Sequence, residues 1–333
     1  MLIKTLKKIL LISIKLAISV AIIVWLVQSG KLDITAFSKI SFDGRTILLF
    51  LVGMIAVLSG TFLLTWRFCM LLEYRKFHMS FFKVLLLTWA SLFFGSILPG
   101  IVSGDAIKAV YLCSNVSGRR TDAFMAVLVD RVIGLFSLLL LGALSLAVAL
   151  IFHYISFSIY LLVAPAIVLS LIIFRYVIIS TMFWELSFVK KIFPKLPVRV
   201  KNLVNSLKAY LKSTQFLLKI VSLSLINHAL VIGSFVVSAI AIHDSLPIFM
   251  HYIINPLAMV MNVVPVTPGG IGITESAFAF LFESVGSENG AMIGLLGRLV
   301  QYSVFILAGI IAVSSLKLRL QIQALDVNQE AGD

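Results

Sequence analysis

Six uninterrupted apolar runs constrain this chain more than any other feature. They lie at roughly 9–27, 46–66, 122–150, 157–180, 217–243 and 290–313. An α-helix needs about 20 apolar residues to cross a bilayer, and it satisfies its own backbone polar groups within lipid. The chain is 61% hydrophobic and only 12% charged, so it cannot divide into an apolar core and a polar surface. The runs therefore predict an all-α polytopic membrane protein with about six full spans.

Two further apolar regions, about 81–114 and 247–284, are each interrupted by proline and glycine. The interruptions read SILPGIVSGDA and VVPVTPGGIGITESA. An arm such as 271–284 reaches only about 21 Å, less than a hydrocarbon core of about 30 Å. We predict two re-entrant hairpins of partial helices, with the alternative that arm 81–98 crosses fully and the first hairpin is a pair of spans. The predicted break residues are Pro99, Gly100, Gly104, Pro265, Pro268, Gly269, Gly270 and Gly272.

The basic residues predict the orientation. Lys and Arg concentrate at the N-terminus, in 67–80, at Arg119 and Arg120, in 184–219 and in the tail, and all five places fall on one side if six spans start inside. By the positive-inside rule both termini are cytoplasmic, and the protein lies in the cytoplasmic (inner) membrane. This placement explains the net charge of +13 and gives no reason to expect a nucleic-acid partner. No small-residue cleavage pattern follows the first run, so we expect a retained span.

The basic segment at about 184–219 carries eight Lys or Arg residues and a single acid, Glu185. Its apolar residues recur at helical spacing, which suits a helix lying in the headgroup plane. A solvated connecting loop explains the same composition equally well. We expect residues 1–320 to form a single transmembrane domain and residues 321–333 to form a short polar cytoplasmic tail.

An internal repeat links the two interrupted regions. The helix that contains Arg131 aligns without a gap to the helix that contains Arg298, and methionine, leucine and glycine residues match as well. The matched arginine is informative, because charge within a membrane helix is rare. Each of these helices follows a Pro-Gly region with an acid, so the predicted units are about 81–150 and 247–313. Their predicted orientations are inverted, which in transporters indicates a binding site near the midplane.

Seven polar residues are candidates for substrate contacts in such a site. Arg131 and Arg298 fall near the midplane, where they either hold a lipid phosphate or pin the hairpins through salt bridges. Lys108 either binds phosphate or snorkels to the interface, and Asn262 either caps backbone or lines the site. The helix end after PGG is expected to direct free N–H groups toward an anion. The candidates are Arg131, Arg298, Asp105, Glu275, Asp130, Lys108 and Asn262.

Catalytic and metal-binding signatures do not stand out in the sequence. No Ser/His/Asp or Cys/His arrangement is visible, and the five histidines form no i, i+4 pair. The two cysteines have no ligand or disulfide spacing. We therefore expect neither an enzyme nor a metal or other cofactor.

The motifs LPGIVSGDAIKAVYL, VLVDRVIGL and PGGIGITESAF, followed by an arginine-bearing last helix, resemble the membrane region of lysylphosphatidylglycerol synthase/flippase proteins. The resemblance covers nearly the whole chain and is to stand-alone members without the aminoacyl-transferase domain. The chain departs from the pattern in its glycine-poor first break and at Lys108 and Thr274, where arginine is common. The site residues that the resemblance implies are Asp105, Asp130 with Arg131, Glu275 and Arg298.

The resemblance implies a lipid translocator, with phosphate-bearing membrane lipids as its partners. A membrane transferase, or an accessory subunit of a synthase or glycosyltransferase in glycolipid or polyprenyl-phosphate metabolism, is the alternative, and a homo-oligomer also stays open. Under the leading hypothesis, neutralising either Arg131 or Arg298 is expected to abolish lipid movement without unfolding the protein.

Overall fold

All regular structure in the described part of the chain is helical. The computed structural model describes residues 2–32, 43–97, 102–115, 119–151, 209–210, 213–263 and 267–316. Short 3₁₀ turns at Met261–Val263 and Pro268–Gly270 flank the second Pro-Gly interruption. The α-helices within these ranges are α1 (Leu2–Gln28), α2 (Gly44–Tyr74), α3 (Phe81–Ile97), α4 (Val102–Ser114), α5 (Arg120–Ile151), α6 (Thr214–Ala241), α7 (Ile248–Val260), α8 (Ile273–Glu283) and α9 (Gly290–Leu316).

Helices α2, α5, α6 and α9 each contain a segment that is long and apolar enough to cross a membrane. They cover four of the predicted spans, and the predicted span 9–27 lies within α1, whose stretch Ala17–Gln28 is a shorter apolar helix. The predicted span 157–180 and most of the basic segment 184–219 lie outside the described residues. The structure is that of an α-helical polytopic membrane protein. The four segments are Gly44–Tyr74, Arg120–Val148, Thr214–Ala241 and Gly290–Ser315.

Each of the two interrupted regions consists of two short helices, as predicted. Helices α3 and α4 are 17 and 13 residues long, and α7 and α8 are 13 and 11. At 1.5 Å per residue these helices extend about 16 to 26 Å, short of a hydrocarbon core of about 30 Å. The connecting residues 98–101 and 264–266, which include Pro99, Gly100 and Pro265, lie outside the described residues.

Side-chain caps mark the starts of two long helices, α2 and α6. The Asp43 carboxylate accepts a hydrogen bond from the Thr46 amide at 2.8 Å and begins α2. This bond also lowers the pKa of Asp43 below its usual value. Ser213 begins α6 in the same way by accepting from the Phe216 amide at 3.3 Å. Both caps satisfy amides that have no partner within the helix.

The two hairpins and the two arginine-bearing helices pack in a reciprocal pattern. Helix α5 packs against α4, the second arm of its own hairpin, and against α7, the first arm of the other hairpin. Helix α9 likewise packs against α8 of its own hairpin and against α3 of the other. The hairpins are therefore interleaved, and the arginine-bearing helices flank the region between them.

Gly104 does not belong to the first break, contrary to the prediction. It lies inside α4, where a Cβ atom would stand 2.2 Å from the Ser91 carbonyl oxygen of α3. Gly95 of α3 packs on Gly104 in turn, with 3.7 Å between its own Cβ position and the Gly104 Cα. The glycine is required for close approach of the two arms, because no side chain fits between them.

Gly104→Ala is expected to lower the free energy of unfolding by about 1–3 kcal/mol, because the added methyl group forces α3 and α4 apart. Thermal melting in detergent measures the effect. Gly233→Ala in α6 is the matched control, since nothing lies within 4 Å of its Cβ position and alanine is the better helix former. Equal melting temperatures for the two variants would contradict the proposed close contact.

Candidate functional site

A polar cavity of about 240 Å³ lies where the two hairpins meet α5 and α9. The first hairpin contributes residues from both of its arms, and the second contributes residues from the turn region before α8. Aromatic side chains from α6 and α9 complete the wall. The lining residues are Ser91, Leu92, Gly95, Ser96, Gly104, Asp105, Arg131, Phe235, Asn262, Gly269, Arg298, Gln301, Tyr302 and Phe305.

Asp105 and Arg131 form the first charged pair of this cavity. Arg131 Nη1 donates to Asp105 Oδ2, which joins the start of α4 to the middle of α5. The Arg131 side chain is 40% exposed and that of Asp105 is 21% exposed. An arginine that lines a cavity beside a carboxylate and stays partly exposed suits an anionic group there.

Arg298 and Glu275 form the second charged pair, and this pair is buried. Arg298 is 7% exposed and Glu275 is 0% exposed. Arg298 Nε lies 2.9 Å from Glu275 Oε1, an ion pair without hydrogen-bond alignment. The other carboxylate oxygen of Glu275 accepts from the Gly272 amide at 2.6 Å, so Glu275 caps α8 itself. The Gly272 amide, expected to be available to an anion, is therefore already bonded.

The Arg298 guanidinium also holds the turn before α8. Its Nη1 donates to the Gly269 carbonyl at 2.6 Å, and its Nη2 donates to Asn262 Oδ1 at 3.0 Å. Asn262 Oδ1 accepts from the Thr274 hydroxyl as well, at 2.8 Å. Asn262 thus lines the cavity and links Arg298 to Thr274 at the start of α8, and both of these hydrogen bonds are to side chains rather than to backbone. Most of the Arg298 donors are occupied by the protein, and its side chain is 8% exposed, against 40% for that of Arg131.

Glycines at the second interruption adopt backbone conformations that side chains rarely allow. Gly269 has φ +58° and Gly270 has φ +73°. A Cβ on Gly269 would stand 2.7 Å from the Tyr302 hydroxyl oxygen, and one on Gly270 would stand 2.7 Å from Asn262 Oδ1. The predicted break residue Gly269 therefore lines the cavity with its carbonyl on Arg298, and Gly270 lets the turn pack closely on Asn262.

Asp130 and Lys108 lie outside the cavity, in a separate buried cluster. Asp130 accepts from Arg67 Nε at 2.9 Å, and Arg67 Nη1 donates to Ser224 at 2.7 Å. The Lys108 ammonium lies 3.4 Å from Asp130 Oδ2 and 4.5 Å from the centroid of the Phe68 ring. Lys108 is 3% exposed, so it neither snorkels to an interface nor reaches the cavity.

Arg67 and the polar face of α9 are not among the predicted site residues. Arg67 was assigned to a cytoplasmic segment because it follows the apolar run 46–66, but it lies within α2 and is buried. Gln301 and Tyr302 follow Arg298 by three and four residues, which places them on the same helical face. That spacing was a usable signal for both residues.

Of the predicted site residues, Asp105, Arg131, Asn262 and Arg298 line the cavity. Glu275 lies behind them, paired with Arg298. Asp130 and Lys108 do not reach the cavity, because their side chains point into the cluster around Arg67. Contact with a substrate remains a prediction for all of them.

The fold and the cavity define a polytopic helical membrane protein with a charged site between two interrupted helical hairpins. Residues 12–309 match the family described as lysylphosphatidylglycerol synthase TM region, and the chain belongs to this family. A UPF0104 membrane protein from Archaeoglobus fulgidus is 25% identical over 329 residues, covering 91% of this chain and 96% of the relative. Another UPF0104 membrane protein, from Pyrococcus horikoshii, is 22% identical over 338 residues, covering 94% and 98%. The family resemblance predicted from the motifs is confirmed.

Proposed function

We propose that this protein moves a phosphate-bearing lipid between the leaflets of the cytoplasmic membrane without altering it chemically. One observation carries the proposal: a polar cavity between two interrupted hairpins contains an arginine, Arg131, that is paired to Asp105 but half open. Charged groups at such a position are costly unless they serve a pathway or a partner. Membership of a lipid-related membrane family agrees with this proposal.

The cavity has room for a phosphate group and further headgroup atoms, and its charged residues suit a phosphate. Its volume of about 240 Å³ corresponds to roughly eight water molecules at about 30 Å³ each. Arginine binds phosphate through two parallel N–H donors, which fixes the orientation of the anion. The Asp105 carboxylate pairs with Arg131 and neutralises its charge. An entering phosphate would take over these donors, and Asp105 would then be available to a cationic part of the headgroup.

The reciprocal packing suggests how access alternates in this proposal. The hairpins are taken as re-entrant and the two units as inverted, with both termini cytoplasmic. A small rocking of one unit against the other would open the cavity first to one leaflet and then to the other. Interrupted backbone is tolerated at membrane depth where it is buried in protein or lines a wet cavity, as this arrangement requires.

Arg131→Gln is expected to slow lipid movement by roughly 10- to 100-fold, because a charge-assisted hydrogen bond to the phosphate is lost. The assay measures headgroup accessibility in proteoliposomes that contain labelled phosphatidylglycerol, aminoacylated phosphatidylglycerol or polyprenyl phosphate. The variant is expected to remain folded, since the Arg131 side chain is 40% exposed and the pair that it loses is not deeply buried.

Arg45→Gln is the matched control, because Arg45 is exposed at the start of α2 and does not line the cavity. Its transport rate should equal that of the unmodified protein. Wild-type rates for Arg131→Gln with all three lipids would contradict the assignment of Arg131. A folded protein that moves none of the lipids would overturn the proposed function, and a covalently changed lipid would indicate a transferase instead.

A further inference from the structure

A second cavity, of about 460 Å³, has the Asp105–Arg131 pair in its wall. Both residues line both cavities. Away from this pair, the second cavity is lined by apolar side chains and one thiol, in contrast to the polar walls of the first. Its volume lies within the range of about 300–1,000 Å³ that is common for ligand sites. The pair is therefore a charged junction that borders both cavities, which are the polar part and the apolar part of the candidate site.

The apolar part is a groove between facing stripes of α4 and α5. Helix α4 contributes Ala106, Ala109, Val110 and Cys113, which repeat at i, i+3, i+4 and i+7 on one helical face. Two of the four are alanines, and their small side chains leave the space. The groove is about 10 Å long, given seven residues at 1.5 Å each.

The stripe on α5 has the same spacing and ends in the cation. It consists of Phe124, Val127, Leu128 and Arg131. Val127 is buried and forms the floor, whereas Phe124 and Leu128 are exposed and leave the groove open at the side. At the far end Cys113 Sγ contacts the Arg120 carbonyl oxygen at 3.4 Å, so the two helices run antiparallel with the charged pair at one end only.

We infer that this groove holds one acyl chain of the phospholipid whose phosphate contacts Arg131. The inference rests on the proposed function and adds to it how the lipid is recognised. A site for an anionic amphiphile needs a cation next to an apolar groove. Arg131 and the groove between α4 and α5 provide these two features. The groove accommodates about 10 Å of chain, against about 15 Å for one leaflet of the hydrocarbon core. The rest of the chain stays in bulk lipid.

The test uses photo-crosslinking of the full protein in nanodiscs with a phosphatidylglycerol that carries a diazirine on one acyl chain. Mass spectrometry then locates the label. Peptides that contain residues 106–113 and 124–128 are expected to be labelled above the rest of the lipid-facing surface. Arg131→Gln is expected to remove this enrichment, because the phosphate no longer holds the chain in register. A diazirine-labelled diacylglycerol, which lacks the phosphate, should not show the enrichment.

Ala109→Trp fills the groove and is expected to reduce labelling there at least about tenfold, the loss expected for displacing about two methylene groups. Val148→Trp is the matched control, because Val148 is an exposed apolar residue of α5 outside the groove. Alkylation of Cys113 with a bulky maleimide also fills the groove. Because the reagent is added to the folded protein, the result does not depend on whether a substituted chain folds. Cys69 is buried, and a Cys69→Ser background restricts the reagent to Cys113.

Even labelling over the lipid-facing surface, or unchanged labelling after the groove is filled, would overturn the inference. The same samples are assayed for lipid movement, which separates the two proposals. Site-specific labelling in a protein that moves no lipid would refute translocation and leave the lipid site standing. Movement with even labelling would refute the groove and leave translocation standing.

Discussion

Asp130→Asn is expected to lower the free energy of unfolding by roughly 3–5 kcal/mol, because it leaves the cations Arg67 and Lys108 buried without their carboxylate. Arg67 contacts Asp130 through Nε at 2.9 Å and through Nη2 at 2.7 Å. Asparagine preserves the shape of the side chain but not its charge. The yield of monodisperse protein and its melting temperature in detergent measure the loss.

Asp122→Asn is the matched control, because Asp122 is on the same helix and pairs with Arg75 and Arg119 near the surface. A partly exposed pair contributes only about 0–1 kcal/mol. Lys108→Met in the Asp130→Asn background should recover part of the stability, since one of the two unpaired cations is removed. Equal melting temperatures for Asp130→Asn and Asp122→Asn would show that the buried cluster around Asp130 does not stabilise the protein by several kcal/mol.

Arg298→Met is expected to destabilise the protein by roughly 3–5 kcal/mol as well as to stop lipid movement. The substitution leaves the fully buried Glu275 carboxylate without its counter-charge and frees the Gly269 carbonyl. Arg298→Lys is expected to be nearly as harmful, because one ammonium group cannot reproduce the separate contacts to Glu275, Gly269 and Asn262. Melting temperature and the proteoliposome assay, run on the same preparations, measure both effects.

The double variant Arg298→Met with Glu275→Gln separates charge from shape. It should regain part of the stability lost in Arg298→Met, because no uncompensated carboxylate remains buried, but it should not regain lipid movement. Arg131→Gln serves as the comparison, since it is expected to lose movement with little loss of stability. An Arg298→Met protein as stable as Arg131→Gln would show that Arg298 does not hold the turn before α8.

These contrasts revise the expectation that the two arginines are equivalent. The sequence repeat pairs Arg131 with Arg298, and each does pair with the acid of its own hairpin. The first pair is partly open to the cavity, whereas the second is enclosed by the turn at Gly269 and Asn262. The matched arginines of the repeat therefore differ in role. Arg131 is a candidate contact for an anion, whereas Arg298 holds the turn before α8 in place.

Apolar run length and proline-glycine placement were sufficient to predict the described long helices and both pairs of short helices. Both are local properties of the chain. A run of about 20 apolar residues is long enough to cross a membrane, and a Pro-Gly stretch interrupts a helix whatever the helix packs against. Because charge within an apolar run is rare, sequence position also identified Arg131 and Arg298 as candidate site residues. The cost of an intramembrane charge depends on its depth, which sequence position approximates.

Partner choice was decided only by the tertiary structure. Asp130 and Arg131 are neighbours in sequence, yet the helix turns them to different sides, one toward Arg67 of α2 and the other toward Asp105 of α4. Gly104 looked like a break residue and is instead the contact point between two arms. Sequence periodicity reports which residues share a face, but the rotation and spacing of packed helices determine what that face meets, and this depends on side chains distant in the chain.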